Sequence, residues 1–80
     1  MMRDIQFALP GRVTLPAAPI VDHQQLRLAI GDPSRQLLRL WRTQRSFPRP
    51  FRDGNSTFCV TAEIEKWLIE QGVEVSRHDP

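Results

Sequence analysis

Between Ser34 and Arg52 the chain carries Arg35, Arg39, Arg42, Arg45, Arg49 and Arg52, and no acidic residue. Arginine holds a permanent charge on a planar fork of donors, a geometry suited to bidentate contact with phosphate and with the edge of guanine. Like charges crowded on one surface repel one another, and an outside polyanion relieves that repulsion. The following segment has the opposite sign: Asp53, Glu63, Glu65, Glu70, Glu74 and Asp79 stand against Lys66 and Arg77. The net charge of +2 over 80 residues conceals this separation, and all the basic residues but Lys66 are arginine. The chemistry expected of such a stripe is non-covalent recognition of a polyanion.

Catalytic readings lack a constellation. His23, His78 and Cys59 make no metal-ligand spacing. Glu63 and Glu65 fall on different sides of a helix, so they form no carboxylate pair, and there is no glycine-rich phosphate loop. The expectation is a non-enzyme with no cofactor and no metal. Cys59, flanked by Phe58 and Val60, reads as a small buried hydrophobe in a strand. A lone cysteine makes no internal disulfide, which fits a reducing cytoplasm. No apolar run approaches the ~20 residues needed to span a bilayer. The start, Met1-Met2-Arg3-Asp4-Ile5, carries an acid early and does not read as a signal peptide. A cytoplasmic protein without a membrane partner is expected, in one small domain whose core is marginal.

The elements that must position the arginines follow from caps and periodicity. Asp22 is placed to cap a first helix over His23–Ile30, with Leu26, Ala29 and Ile30 on one face, Leu28 off it, and Gly31 as its stop. Asp32 before Pro33 reads as the cap of a second helix running to about Gln44, since proline loses no hydrogen bond in a first turn. Only Gly31 then separates the two helical segments, which demands a sharp turn. On the second helix Leu37, Leu38, Leu40 and Trp41 share one side. Arg35, Arg39 and Arg42 lie opposite, within about 60° of one another, with Gln36 and Thr43 beside them. Arg45 borders the apolar face, where it either meets phosphate or covers Trp41 with its stem.

Ser46-Phe47-Pro48-Arg49-Pro50 cannot continue a helix. Phe51-Arg52 and Thr57–Val60 have strand character, joined through Asp53-Gly54-Asn55-Ser56 as a hairpin. Arg52 sits at its base, Asn55 and Ser56 at its tip. Thr61 reads as the cap of a third helix, Ala62–Gln71, with Ile64, Trp67 and Leu68 inward, Ile69 outward and Gly72 as its stop. Trp41 and Trp67 occupy core positions. Residues 1–20, with Pro10-Gly11, Pro16 and Pro19, read as an extended arm in which Ile5-Gln6-Phe7 can add a short strand. Residues 73–80 read as a short, polar, mobile tail, leaving 21–72 as the folded unit.

The order is therefore helix, tight turn, arginine-faced helix, two-stranded wing, helix: an α+β winged helix-turn-helix. An arginine-faced second helix can enter the major groove of double-stranded DNA, and the hairpin can reach the adjacent backbone or minor groove. The candidate DNA contacts are Ser34, Arg35, Gln36, Arg39, Arg42, Thr43, Arg45, Arg49, Arg52, Asn55 and Ser56.

The run Arg39-Leu-Trp-Arg-Thr-Gln-Arg-Ser-Phe-Pro-Arg-Pro-Phe-Arg-Asp-Gly54, followed by Phe58-Cys-Val-Thr-Ala-Glu-Ile-Glu-Lys-Trp-Leu68, resembles the small winged helices of phage excisionases. It resembles equally the AlpA-type regulators; both are relatives of the MerR-like DNA-binding domain. Phe47-Pro48-Arg49-Pro50, between recognition helix and wing, is the most telling piece, and the resemblance covers about residues 21–71. It implies a bacterial, nucleoid-associated protein that binds adjacent sites side by side, bends the duplex and contacts an integrase to favour excision of a mobile element. Arg35, Arg39 and Arg42 fall on the family's recognition positions. The wing departs from the pattern, because Asn55 stands where relatives often place a basic residue. Asparagine can still hydrogen-bond in the minor groove. The acidic third helix can meet the basic segment of a neighbouring copy, a head-to-tail contact that does not close. The alternative is an AlpA-type transcriptional regulator using the same face. A protein-interaction adaptor that no longer binds DNA is a third reading, against which the acid-free stretch argues.

Overall fold

Val13 and Leu15 alternate with Arg12 and Thr14, and this period of two turns both apolar side chains to one side of a strand. In the computed structural model, which describes residues 9–78, Leu15 is 0% exposed and Val13 1%. They lie in strand β1, Arg12–Pro16, and the chain continues as β2 (Ile20–Asp22), α1 (His23–Ala29), α2 (Arg35–Gln44), β3 (Phe51–Asp53), β4 (Ser56–Val60), α3 (Thr61–Glu70) and β5 (Glu74–His78). The described residues thus form a small α+β fold of three helices and five strands.

The expected arm and tail are corrected by this arrangement. β1 pairs in parallel with β5, in register from Arg12↔Glu74 to Pro16↔His78. The amide of Glu74 donates to the carbonyl of Gly11 at 3.0 Å, and that of Ala17 to His78 at 2.9 Å. The physical reason is burial: Val13, Leu15 and Val73 join the core, and Val75 packs against it. Pro16 is tolerated because it ends its strand on a two-stranded sheet. The strand suggested for Ile5-Gln6-Phe7 lies outside the described residues.

The turn between α1 and α2 also differs from expectation. Gly31, at φ 98°, ends α1. Its amide donates to Leu28, and the amide of Asp32 reaches back to the carbonyl of Arg27 at 2.6 Å. This is the paired closure that a left-handed glycine makes at a helix end. Asp32 is therefore bound into the close of α1 at φ 54°, whereas an N-cap needs extended backbone. The cap of α2 is Ser34, at φ −69° and ψ 163°, whose Oγ accepts from the amide of Leu37 at 3.1 Å. Residues 30–34 separate the helices, with Pro33 buried. Arg27 braces this turn: its Nε donates to the Pro33 carbonyl at 3.2 Å, and Nη2 meets Asp32 at 3.2 Å.

The other local expectations meet a mixed outcome. Asp22 caps α1, its Oδ1 accepting from Gln24 and Gln25. β3 and β4 form a hairpin closed by Gly54-Asn55, with Gly54 at φ 65°, and β2 completes an antiparallel sheet in the order β2-β4-β3. Gly72, at φ 86°, closes α3. Thr61 does not cap α3; it is its first residue, fully buried, and Val60 precedes the helix without a side-chain cap bond. The Thr61 amide is taken instead by the Pro19 carbonyl at 3.0 Å, which leaves the hydroxyl in the core. Leu28 (63%) and Ile69 (56%) are exposed, and Cys59 is buried.

The burial of β1 has a direct consequence for stability. Leu15→Ala should cost about 2–5 kcal/mol, the range for a truncated core leucine. A urea titration reads this as a lowered midpoint; an unchanged midpoint would place Leu15 outside the core.

Candidate nucleic-acid interface

α2 is held by its apolar side and by both ends. Leu38 and Trp41 are buried in the core, and Leu37 packs against it. At the C-terminal end the amide of Arg45 donates to the carbonyl of Trp41 at 2.8 Å. Ser46, at φ 59°, then turns the chain back, and the amide of Phe47 meets the same carbonyl at 3.2 Å. Phe47 thereby packs into an aromatic cluster. Its ring stands edge-on to Trp67 at 4.8 Å and 89°, with Trp41 lying 5.8 Å from Phe47 and 5.9 Å from Trp67. Trp67 Nε1 donates to the Arg45 carbonyl at 2.8 Å, joining α3 to the end of α2.

The outward side of α2 divides in two. Arg35, Gln36 and Arg39 are exposed and line one shallow recess. Arg42 is half-buried and turns into a second recess of about 300 Å³, shared with His23 of α1, Arg35, Leu38, Arg39 and Thr57 of β4. The hairpin therefore borders the arginine-bearing helix. Other candidate residues lie elsewhere. Ser34 is exposed but serves as the cap of α2. The Thr43 hydroxyl lies 3.1 Å from the carbonyls of both Arg39 and Leu40, so its proton is engaged within the helix. Arg45 is half-buried at the helix end, with its carbonyl on Trp67. Arg49 is exposed between α2 and β3; Arg52 is exposed on β3, opposite Thr57. Asn55 and Ser56 are exposed at the hairpin end.

Charge pairing separates the arginines of this face from Arg12, Arg27 and Arg77 elsewhere in the described chain. Arg12 pairs with Glu74 at 3.4 Å, Arg27 with Asp32 at 3.2 Å, and Arg77 with Glu65 at 2.7 Å. Arg35, Arg39, Arg42, Arg49 and Arg52 make no salt bridge to any described residue. Arg42 Nε and His23 Nε2 are also shielded from solvent without a hydrogen-bond partner among the described residues. A buried group left in that state costs on the order of 1–3 kcal/mol. Burial pushes the His23 pKa below its ordinary value, as do the charges of Arg42 and Arg27, while Asp22 opposes them. The Cys59 thiol is pushed up to about 11 by burial, against Arg42 and with Glu63. His23 and Thr57 are absent from the sequence-derived contacts, because no spacing along the chain connects an α1 imidazole and a β4 hydroxyl to α2. Among the described residues no cluster of three His, Cys, Asp or Glu is placed to hold a metal ion, and no helix is long and apolar enough to cross a membrane.

The depressed His23 pKa makes stability depend on pH with a definite sign. The unfolded chain takes up a proton near pH 6.5 and the folded chain only below it. The contribution of neutral His23 is complete above that value and declines as pH falls toward the folded-state pKa. Urea midpoints should drop between about pH 7.5 and pH 5.5, and His23→Gln should flatten that drop. An identical pH dependence in the variant would assign it to other groups.

Compared with protein-family models, with curated proteins and with solved structures, the chain matches none of them.

Proposed function

We propose that this chain is a duplex-DNA-binding module of the winged-helix type, presenting α2 to the major groove and the β3–β4 hairpin to the neighbouring backbone or minor groove. The observation that carries the reading is the set of unpaired arginines. Among the described residues Arg35, Arg39, Arg42, Arg49 and Arg52 have no acidic partner, while Arg12, Arg27 and Arg77 each have one. A basic face that the fold does not neutralise is the electrostatic footprint of polyanion binding. An α-helix with its side chains is about 10–12 Å across and the major groove about 12 Å wide, so α2 fits with its exposed side on the bases. Arg35 suits guanine, Gln36 suits adenine, Arg39 suits guanine or phosphate, and the exposed Arg52 and Asn55 suit backbone or minor groove.

A single module of this size buries about 600–1,000 Å² on DNA, too little for precise placement alone. Adjacent copies or a partner already on the duplex supply the rest. The resemblance of residues 21–71 to phage excisionases supports extending the proposal to an architectural role, in which neighbouring copies bend attachment-site DNA for an integrase.

Arg39→Ala should weaken a specific duplex by about 1–3 kcal/mol if Arg39 reads a base. If it meets only phosphate, binding should fall evenly across sequences and the salt slope should shrink by about one. Gel shifts at several salt concentrations measure both. Equal affinity for the wild type and an Arg35/Arg39/Arg42 triple-alanine variant would remove α2 from the interface.

A further inference from the structure

The recess between α1, α2 and β4 has properties that the exposed stripe of α2 lacks. Its volume, about 300 Å³, is many times the ~30 Å³ share of one water, room for a solvated phosphate group. It is lined by Arg35, Arg39, Arg42, His23, Thr57 and Leu38, and by no acidic residue among those described. The acid that acts on His23 is Asp22, whose Oδ1 is occupied by the amides of Gln24 at 2.9 Å and Gln25 at 3.3 Å. Arg42 Nε and His23 Nε2, in two of the lining residues, are shielded from solvent and have no hydrogen-bond partner among the described residues. Three guanidinium-bearing side chains that can only donate, with an imidazole and a hydroxyl that can also donate, gathered from three elements around one volume, are complementary to an oxyanion.

We propose that this cleft seats one phosphodiester of the DNA backbone, held by Arg39 and Arg42 with His23 and Thr57 as further hydrogen-bond donors. The proposal rests on the DNA-binding reading and names two contacts outside the recognition helix. A phosphate fixed here sets the rotation of α2 about its axis, leaving Arg35 and Gln36 for base edges.

His23 makes the seat sensitive to pH. In the free protein its charged form is opposed by burial, Arg42 and Arg27, and favoured by Asp22. Arg35 and Arg39 face the same cleft from α2. β4 brings the neutral Thr57 and the buried Cys59, with Glu63 of α3 acting on the Cys59 side. A bound phosphate supplies negative charge where cations predominate, so it raises the His23 pKa. Binding is then coupled to uptake of at most one proton. Affinity rises as pH falls, through the window between the bound-state and free-state values.

Fluorescence anisotropy of a labelled duplex at fixed ionic strength, from about pH 8 to pH 5.5, tests this with wild type, His23→Gln and His78→Gln. Wild type and His78→Gln should bind more tightly as pH falls, by up to about tenfold per unit, and His23→Gln should be flat. Arg42→Gln should lose about 0.9 from the slope of log K against log salt. Circular dichroism checks each variant. If Arg42→Gln does not fold, NMR titration of the His23 ring in the wild type decides: duplex should raise its pKa. Inorganic phosphate is the control, and a response to it without any response to duplex overturns the proposal. A pH slope unchanged in His23→Gln also overturns it, while leaving DNA binding intact. No binding of duplex by any form overturns both readings.

Discussion

The hydrogen bond from Trp67 Nε1 to the Arg45 carbonyl, with the Trp41, Phe47 and Trp67 rings packed around it, fixes where α2 lies. A helix of ten residues is too short to hold in water on its own. This one also has no acidic residue in its first turn and an uncompensated row of arginines on its outer side, both unfavourable locally. Packing must supply what local interactions do not. Aromatic pairs contribute about 0.5–1.5 kcal/mol each beyond simple burial. The indole bond also supplies a donor to a carbonyl at the helix end. The left-handed turn at Ser46 serves the same junction, since it folds Phe47 back onto Trp67.

The second constraint is the pairing of the first and last strands of the described residues. β1 and β5 run parallel, so the whole intervening chain forms the crossover between them. Val13 and Leu15 come with the first strand, Val73 and Val75 with the last, and they close the core beneath α1 and α3. For a chain of this size, such residues are a large part of the burial available. The closure also reaches the interface, because α1 stands on β1 and carries His23 to the edge of α2.

What the sequence makes legible is the local part of this design. Asp22 as a cap, the Asp53-Gly54 hairpin, Gly72 as a stop and the inward faces of α2 and α3 all depend on neighbours in the chain. Asp32 and Ser34 are both good caps flanking Pro33. Ser34 takes the role because the close of α1 uses the Asp32 amide, a contact with Arg27 that cap propensity does not reveal. Thr61 has the chemistry of a cap, yet Pro19 takes its amide and its hydroxyl is buried. The β1–β5 pairing is long-range, and its prolines and polar residues resemble those of an arm. Helical period groups Arg35, Arg39 and Arg42, and the three do line one recess, but it does not show that Arg42 is half-buried there beside α1 while the other two are exposed. His23 and Thr57 come to the same recess only through tertiary packing.

The distribution of acids sharpens the meaning of the unpaired arginines. Asp32, Glu65 and Glu74 each neutralise an arginine outside the α2 and hairpin segment. Asp53 follows Arg52 directly on β3, but adjacent strand residues point to opposite faces, and the two form no salt bridge. Surface ion pairs contribute little to stability, so their absence around α2 costs the fold little. It does leave a concentrated positive potential on an element held rigid from behind by the aromatic junction. Mobile arginines lose conformational entropy when a ligand orders them; a helix already fixed in the core reduces that loss for its partner. The aromatic junction that makes the repulsion on α2 tolerable also holds α2 rigid, the preorganisation on which the proposed polyanion binding would draw.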